Sequence, residues 1–145
     1  MPMTTPAPVE ELLRHGLRLL LDKDISGWVD LWDENGILEF PFAPDGWPKR
    51  LEGKAAVAAY LRGYPDHIDL QDFPEVTLHR TAEPGTAVIE MRAVGRLVKS
   101  GAPYDMRYIT VMTAADGRFT HGRDYWNPLI LLRDDAADFR GAAAR

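Results

Sequence analysis

The sequence predicts an α+β domain in which a curved antiparallel sheet wraps over three N-terminal helices. Three observations predict it. Apolar residues recur at helical spacing from Val9 to Leu21 and again in "KAAVAAYLRGY". From Pro74 onward the spacing changes to alternation. Turn signals such as Ala115-Asp116-Gly117 join the alternating runs, as in a meander. Helices segregated from a meander define this class, and a curved sheet with helices on its concave side leaves an internal pocket.

Each element has a local reason. Pro8, Glu10 and Glu11 suit a helix start, because the first turn tolerates proline and favours negative charge. Val9, Leu12, Leu13, Leu17, Leu20 and Leu21 then form an apolar stripe. "DISGWVDLW" reads as a short second helix with Asp24 at its N-cap and Trp28, Leu31 and Trp32 on one core face. Asn35-Gly36 is a turn signal. In "ILEFPF", Leu38, Phe40 and Phe42 alternate with Ile37 and Glu39, and Pro41 marks an edge or a strand end. "APDGWPKRLEG" reads as a loop, and the third helix stops at Gly63 and Pro65.

The strands follow. "EVTLH" is short. In "AVIEMRAVGRLV", Ile89, Met91 and Ala93 oppose Glu90, Arg92 and Arg96; in "YDMRYITVMT", Tyr104, Met106, Tyr108 and Met112 oppose Asp105 and Arg107. The charged face reads as a solvated or subunit-packing surface. The last strand, within "FTHGRDYWNPLILL", stops at Asn127-Pro128, and a brief helix is expected near Leu129–Asp135. Residues 1–8 read as a loose segment, 9–137 as a single domain and 138–145 as a frayed tail.

Bulk properties narrow the function. A chain of 145 residues defaults to one domain. With 46% hydrophobic and 27% charged residues, its composition is that of a soluble globular protein. A net charge of −5 with no Lys/Arg run argues against nucleic acid as a partner. Cysteine is absent, so thiolate chemistry and disulfides are excluded. The apolar runs are far short of a membrane span and the N-terminus has no signal-peptide pattern, so the expected location is cytoplasmic, away from membranes. No phosphate loop, nucleophile elbow or dinucleotide fingerprint occurs. His15, His67, His79 and His121 have no metal-ligand spacing, so neither a metal nor any other cofactor is expected.

One residue stands out. Asp124 shares a face of the last strand with Thr120, Gly122 and Trp126, while Phe119, His121, Arg123 and Tyr125 share the other. If the first set faces the pocket, Gly122 removes bulk beside Asp124, and Trp126, Phe40, Met106 and Tyr108 supply apolar walls. A carboxyl in such walls is desolvated, its pKa rises, and it becomes a competent acid or base near neutral pH. The competing reading is a structural carboxylate that pairs with an arginine or caps a turn. Trp47, in a Pro/Gly loop, reads as either a pocket rim or a loop anchor. Tyr60 reads as either core or a pocket hydroxyl.

Three stretches, "WVDLWDENGILEFPFAP", "GWPKRLEGKAAVAAYL" and "GRDYWNPL", together with the element order, resemble the NTF2-like superfamily of cone-shaped α+β barrels, in particular its SnoaL-like branch. That group includes ketosteroid isomerases, polyketide cyclases, limonene-epoxide hydrolases and the phenazine-biosynthesis proteins A and B. The resemblance to the phenazine A/B group rests on an acidic residue followed closely by Asn-Pro, here Asp124 and Asn127-Pro128. It implies a pocket-facing acid/base at Asp124. The helix histidine of that group falls near Tyr60, where this chain has none. The Arg and Asp that epoxide hydrolysis requires fall at Met91 and Ala93, which ranks that activity low, and the Tyr–Asp pair of the ketosteroid isomerases has no counterpart.

The expected function is cofactor-independent acid/base chemistry, by isomerisation, cyclisation or condensation, on a small hydrophobic or aromatic metabolite. The expected catalytic set is Asp124 with Tyr60 or Tyr108 as hydrogen-bond donor. The expected substrate-binding set is Phe40, Phe42, Trp47, Met91, Met106 and Trp126. A homodimer paired through the charged sheet face, where Glu90, Arg92, Asp105 and Arg107 alternate, is expected. The alternative is a non-catalytic binding or assembly protein of the same fold.

Overall fold

The computed structural model describes residues 7–132. Helices α1 (Val9–Leu21) and α2 (Ile25–Val29) open the chain and lead into strands β1 (Trp32–Glu39) and β2 (Arg50–Glu52). Helices α3 (Lys54–Leu61) and α4 (Tyr64–His67) come next. Four longer strands follow: β3 (Ile68–Arg80), β4 (Thr86–Leu97), β5 (Pro103–Ala115) and β6 (Arg118–Trp126). The helix expected near Leu129–Asp135 is a 3-10 helix over Pro128–Leu132. Its expected end, the tail 138–145 and most of segment 1–8 lie outside the described residues.

The helix signals act as read. Pro8 is the N-cap of α1, with Glu10 and Glu11 in the first turn. Asp24 caps α2, its Oδ1 accepting from the Gly27 N–H at 2.9 Å. α1 buries Val9, Leu12 and Leu13 against the sheet. Among the described residues, no helix is long and apolar enough to cross a membrane.

The six strands form one curved sheet in the order β2-β1-β6-β5-β4-β3. The expectation of an all-antiparallel sheet is corrected here. β1 runs parallel to β6, with Leu38 opposite Gly122 and Glu39 opposite Arg123, so the sheet is mixed. The first strand lies beside the last, and no short hairpin links them.

Other local expectations are revised for identifiable reasons. Trp32 opens β1 and does not extend the second helix; it is fully buried, 5.5 Å from Phe119 between ring centroids. Asn35-Gly36 lies inside β1, where the pairing with β6 is irregular between Trp32 and Ile37. The loop "APDGWPKRLEG" contains β2, which pairs Arg50 with Glu39. His67 ends α4, which the sequence reading placed in a loop. β3 begins at Ile68, ahead of Pro74, because register shifts at Leu70/Asp72 and Asp72/Glu75 break its alternation. Pro74 is tolerated there because β3 is an edge strand. Beside this irregular stretch Gly95 is required: a Cβ would lie 2.0 Å from the Asp69 carbonyl oxygen.

The two sheet faces separate cleanly in β4 and β5. Ile89, Ala93, Tyr104, Met106 and Met112 are buried on the inner face. On the outer face Arg92 pairs with Asp105 at 2.8 Å, Arg107 with Glu75 at 2.8 Å, and His79 with Glu90 at 2.6 Å. Two core clusters form on the inner side. One centres on Trp32, Phe119, Leu38 and Ile89, the other on Ile68, Leu97, Tyr104 and Met106. Trp47 and Trp126 pack against both.

Candidate functional site

A cavity of about 200 Å³ lies between the helices and the inner face of the sheet. Its walls are overwhelmingly aliphatic and aromatic. Of the residues read as site candidates, Asp124, Tyr60, Tyr108, Phe40, Trp47, Met91, Met106 and Trp126 all line it. Phe42 does not. It is 57% exposed and packs edge-on against Tyr125, with ring centroids 5.0 Å apart. The alternation that placed it beside Leu38 and Phe40 ends at Pro41: β1 stops at Glu39, and the Ala43 N–H bonds the Phe40 carbonyl in a turn.

Asp124 projects from β6 into the cavity opposite Thr110 of β5. The Thr110 hydroxyl donates to Asp124 Oδ1 at 2.9 Å. Among the described residues, Asp124 Oδ2 has no hydrogen-bond partner and no arginine or lysine pairs with the carboxylate. The competing structural reading, an ion pair or a turn cap, finds no partner for this carboxyl among the described residues beyond the Thr110 hydroxyl. Burial pushes its pKa up from 3.8 to about 7, against the smaller opposing effect of the Thr110 hydrogen bond. The cavity accounts for the surface that Asp124 retains.

Four tyrosines surround the acid. Tyr104 and Tyr108, both on β5, share a hydrogen bond between their hydroxyls, and Tyr104 also bonds Tyr64. Burial, followed by contributions from neighbouring groups that include the Asp124 charge, pushes the pKa of Tyr60, Tyr64, Tyr104 and Tyr108 upward. All four stay protonated near neutral pH and act as donors. Tyr60 stacks at 5.0 Å on Phe40, and its hydroxyl has no partner among the described residues. Trp47 contacts Trp126 at 5.7 Å between ring centroids, joining the loop after β1 to the end of β6.

Gly122 plays a different part from the one its place beside Asp124 suggests. A Cβ there would lie 3.0 Å from Met112 Sδ, 3.1 Å from Leu38 Cδ1 and 3.3 Å from Trp32 Cη2. The room it leaves is filled by these core side chains. Trp28, read as core, also lines the cavity. Tyr64, Tyr104 and Thr110 were missed as site residues. Thr110 had a signal: aligning Tyr108 with Trp126 across the hairpin puts it directly opposite Asp124.

The remaining polar candidates lie elsewhere. His121 Nε2 and Glu39 Oε1 are 2.6 Å apart on the outer face, with Arg50 also near Glu39. Among the described residues, no group of three or more His, Asp or Glu is arranged to hold a metal. Met91 and Ala93 line the cavity without the charged pair that epoxide opening requires.

With this fold and site, the chain belongs to the SnoaL-like domain family, whose model matches residues 13–122. The fold is that of the NTF2-like superfamily. A Bacillus subtilis protein, YesE, itself uncharacterized, is 45% identical over 83% of this chain and 82% of its own. The PhzA/B-like protein PA3332 of Pseudomonas aeruginosa, likewise uncharacterized, is 41% identical over 85% of this chain and 86% of its own. A crystal structure of a Bacillus subtilis protein proposed to be an isomerase superposes with a TM-score of 0.82 at 41% identity, covering 93% of this chain and 94% of that one.

Proposed function

We propose that the protein is a cofactor-independent acid/base enzyme that isomerises, cyclises or condenses a small hydrophobic metabolite within the cavity. The observation that carries this reading is Asp124, a carboxyl set in apolar walls with one oxygen unpartnered among the described residues and tyrosine hydroxyls around it. With a pKa of about 7 it both takes and returns a proton near neutral pH. The ionised carboxylate removes a proton from a carbon next to a carbonyl. The electron pair moves onto the carbonyl oxygen, where the Tyr108 or Tyr60 hydroxyl stabilises the developing charge. Asp124 then delivers the proton to another carbon, or the enolate carbon attacks an electrophile in cyclisation or condensation. No oxidant or reductant enters the balance.

The likeness to a proposed isomerase agrees with this chemistry. Epoxide hydrolysis ranks below it for want of charge at Met91 and Ala93. A homodimer through the charged sheet face is part of the same proposal. The rival is a non-catalytic binding or assembly protein that uses the same pocket or the sheet face.

The test follows deuterium exchange from D2O into a panel of small hydrophobic carbon acids by NMR. Exchange that the wild type accelerates and Asp124→Asn does not is the expected outcome. Binding of panel members with no Asp124-dependent exchange would select the non-catalytic reading.

A further inference from the structure

The acid/base reading leaves the chemical class of the substrate open, and the charges around the cavity bear on it. Among the described residues lining the cavity, Asp124 is the one carboxylate, and none is Lys, Arg or His. A carboxylate-bearing ligand would find no counter-ion among the described lining residues and would face a second negative charge. Only one of two such acids ionises at close range, so the ligand would also silence Asp124 as a base. An ammonium ligand would pair with Asp124 and consume the charge that the reaction needs.

The polar groups left unsatisfied match a neutral ligand. Asp124 Oδ2 and the Tyr60 hydroxyl have no partner among the described residues. Tyr108 stands opposite Trp126, and Thr110 stands opposite Asp124, so Tyr108 is the diagonal neighbour of the acid on the same face. Diagonal pairs are about 7–8 Å apart at the backbone, within reach of two side chains converging on one ring. Size sets the other limit. A cavity of roughly 150 Å³ holds benzene, and this one holds about 200 Å³.

We propose that the substrate is an uncharged carbonyl compound of one or two rings, held with its oxygen at a tyrosine hydroxyl and its acidic C–H over Asp124 Oδ2. The cavity discriminates against the carboxylate version of the same skeleton, and an ammonium version holds Asp124 in an unreactive ion pair. The inference rests on Asp124 acting as the acid/base.

Two probes on one two-ring frame test it: 2-tetralone and tetralin-2-carboxylate. Binding to the full-length protein is read by calorimetry at pH 8. The ketone should bind at least ~10-fold tighter than the carboxylate probe. Asp124→Asn should relieve the rejection of the carboxylate by about tenfold while changing ketone affinity less than about threefold. Equal or tighter binding of the carboxylate overturns the proposal. Tighter binding of a four-ring ketone, or no binding of any two-ring probe, overturns the size limit and the proposal with it. Deuterium exchange into bound 2-tetralone separates the two claims. The expected affinity order without Asp124-dependent exchange sinks the acid/base reading alone; exchange without that order sinks the substrate class alone.

Discussion

Replacing Asp124 by asparagine should make the protein more stable in alkaline solution, and the structure sets the size of the gain. Asparagine keeps the volume and an oxygen to accept from Thr110, but it has no charge to bury. In the folded chain the Asp124 pKa rises from 3.8 to about 7. The folded state therefore holds this proton more tightly than the unfolded state. The contribution to stability is intact below about pH 4 and is lost as pH rises through about 7. A shift of about three units corresponds to ~4 kcal/mol at the alkaline limit. Between pH 5 and pH 8 the wild type should lose roughly 2–3 kcal/mol relative to Asp124→Asn. Every other titrating group is common to the two proteins, so the difference isolates Asp124. Urea unfolding followed by circular dichroism at both pH values gives the two free energies. Parallel pH dependences would refute the burial argument. A variant less stable than wild type at pH 8 would show that the carboxylate is stabilised where it sits, as an ion-pair partner is.

Tyr108→Phe should cost about 0.5–1.5 kcal/mol of stability for the lost bond to Tyr104 and lower turnover by about 10²- to 10³-fold, the worth of one donor to a developing oxyanion; an unchanged rate would hand that role to Tyr60. Trp126→Phe should keep the fold and remove most of the ligand-linked change in tryptophan emission, and a signal that survives would move its source to Trp28 or Trp47. Gly122→Ala should cost about 1–3 kcal/mol by overpacking against Met112, Leu38 and Trp32, read by chemical denaturation; a neutral result would mean that those side chains yield. Sedimentation at tens of micromolar should show a dimer, and only the 16.3 kDa monomer would remove the sheet face as an interface.

How much of this was legible in the sequence varied with the regularity of each element. β4 and β5 pair without a break from Thr86 to Arg96, so every second residue keeps its face and the alternation reads true. β3 is as long, but two register shifts disrupt its pattern and hide its start. Trp32 was ambiguous because a short cluster of large apolar residues fits a helix face or a buried strand equally well. The parallel contact of β1 with β6 leaves no periodic trace at all. In the site, Asp124 and Trp126 were legible because one strand carries both at period two. The convergence of Tyr64 on Tyr104 was not, since it depends on how α4 packs over the sheet beside β3. Phe42 failed because a turn, closed by a single hydrogen bond to Phe40, ends the alternation one residue earlier.

The parallel pairing of β1 with β6 has a consequence for the order of events when the chain is made. β1 ends at Glu39, yet its neighbour in the middle of the sheet is completed only at Trp126. Until then β1 has only the three-residue β2 to pair with. During synthesis the meander from β3 to β5 can assemble from sequential neighbours, while β1 must wait for a partner from the far end of the chain. Such distant pairings slow folding and leave strand edges open meanwhile. The strand that closes the gap also delivers Asp124, so the nascent protein acquires its acid in the same step that completes its sheet.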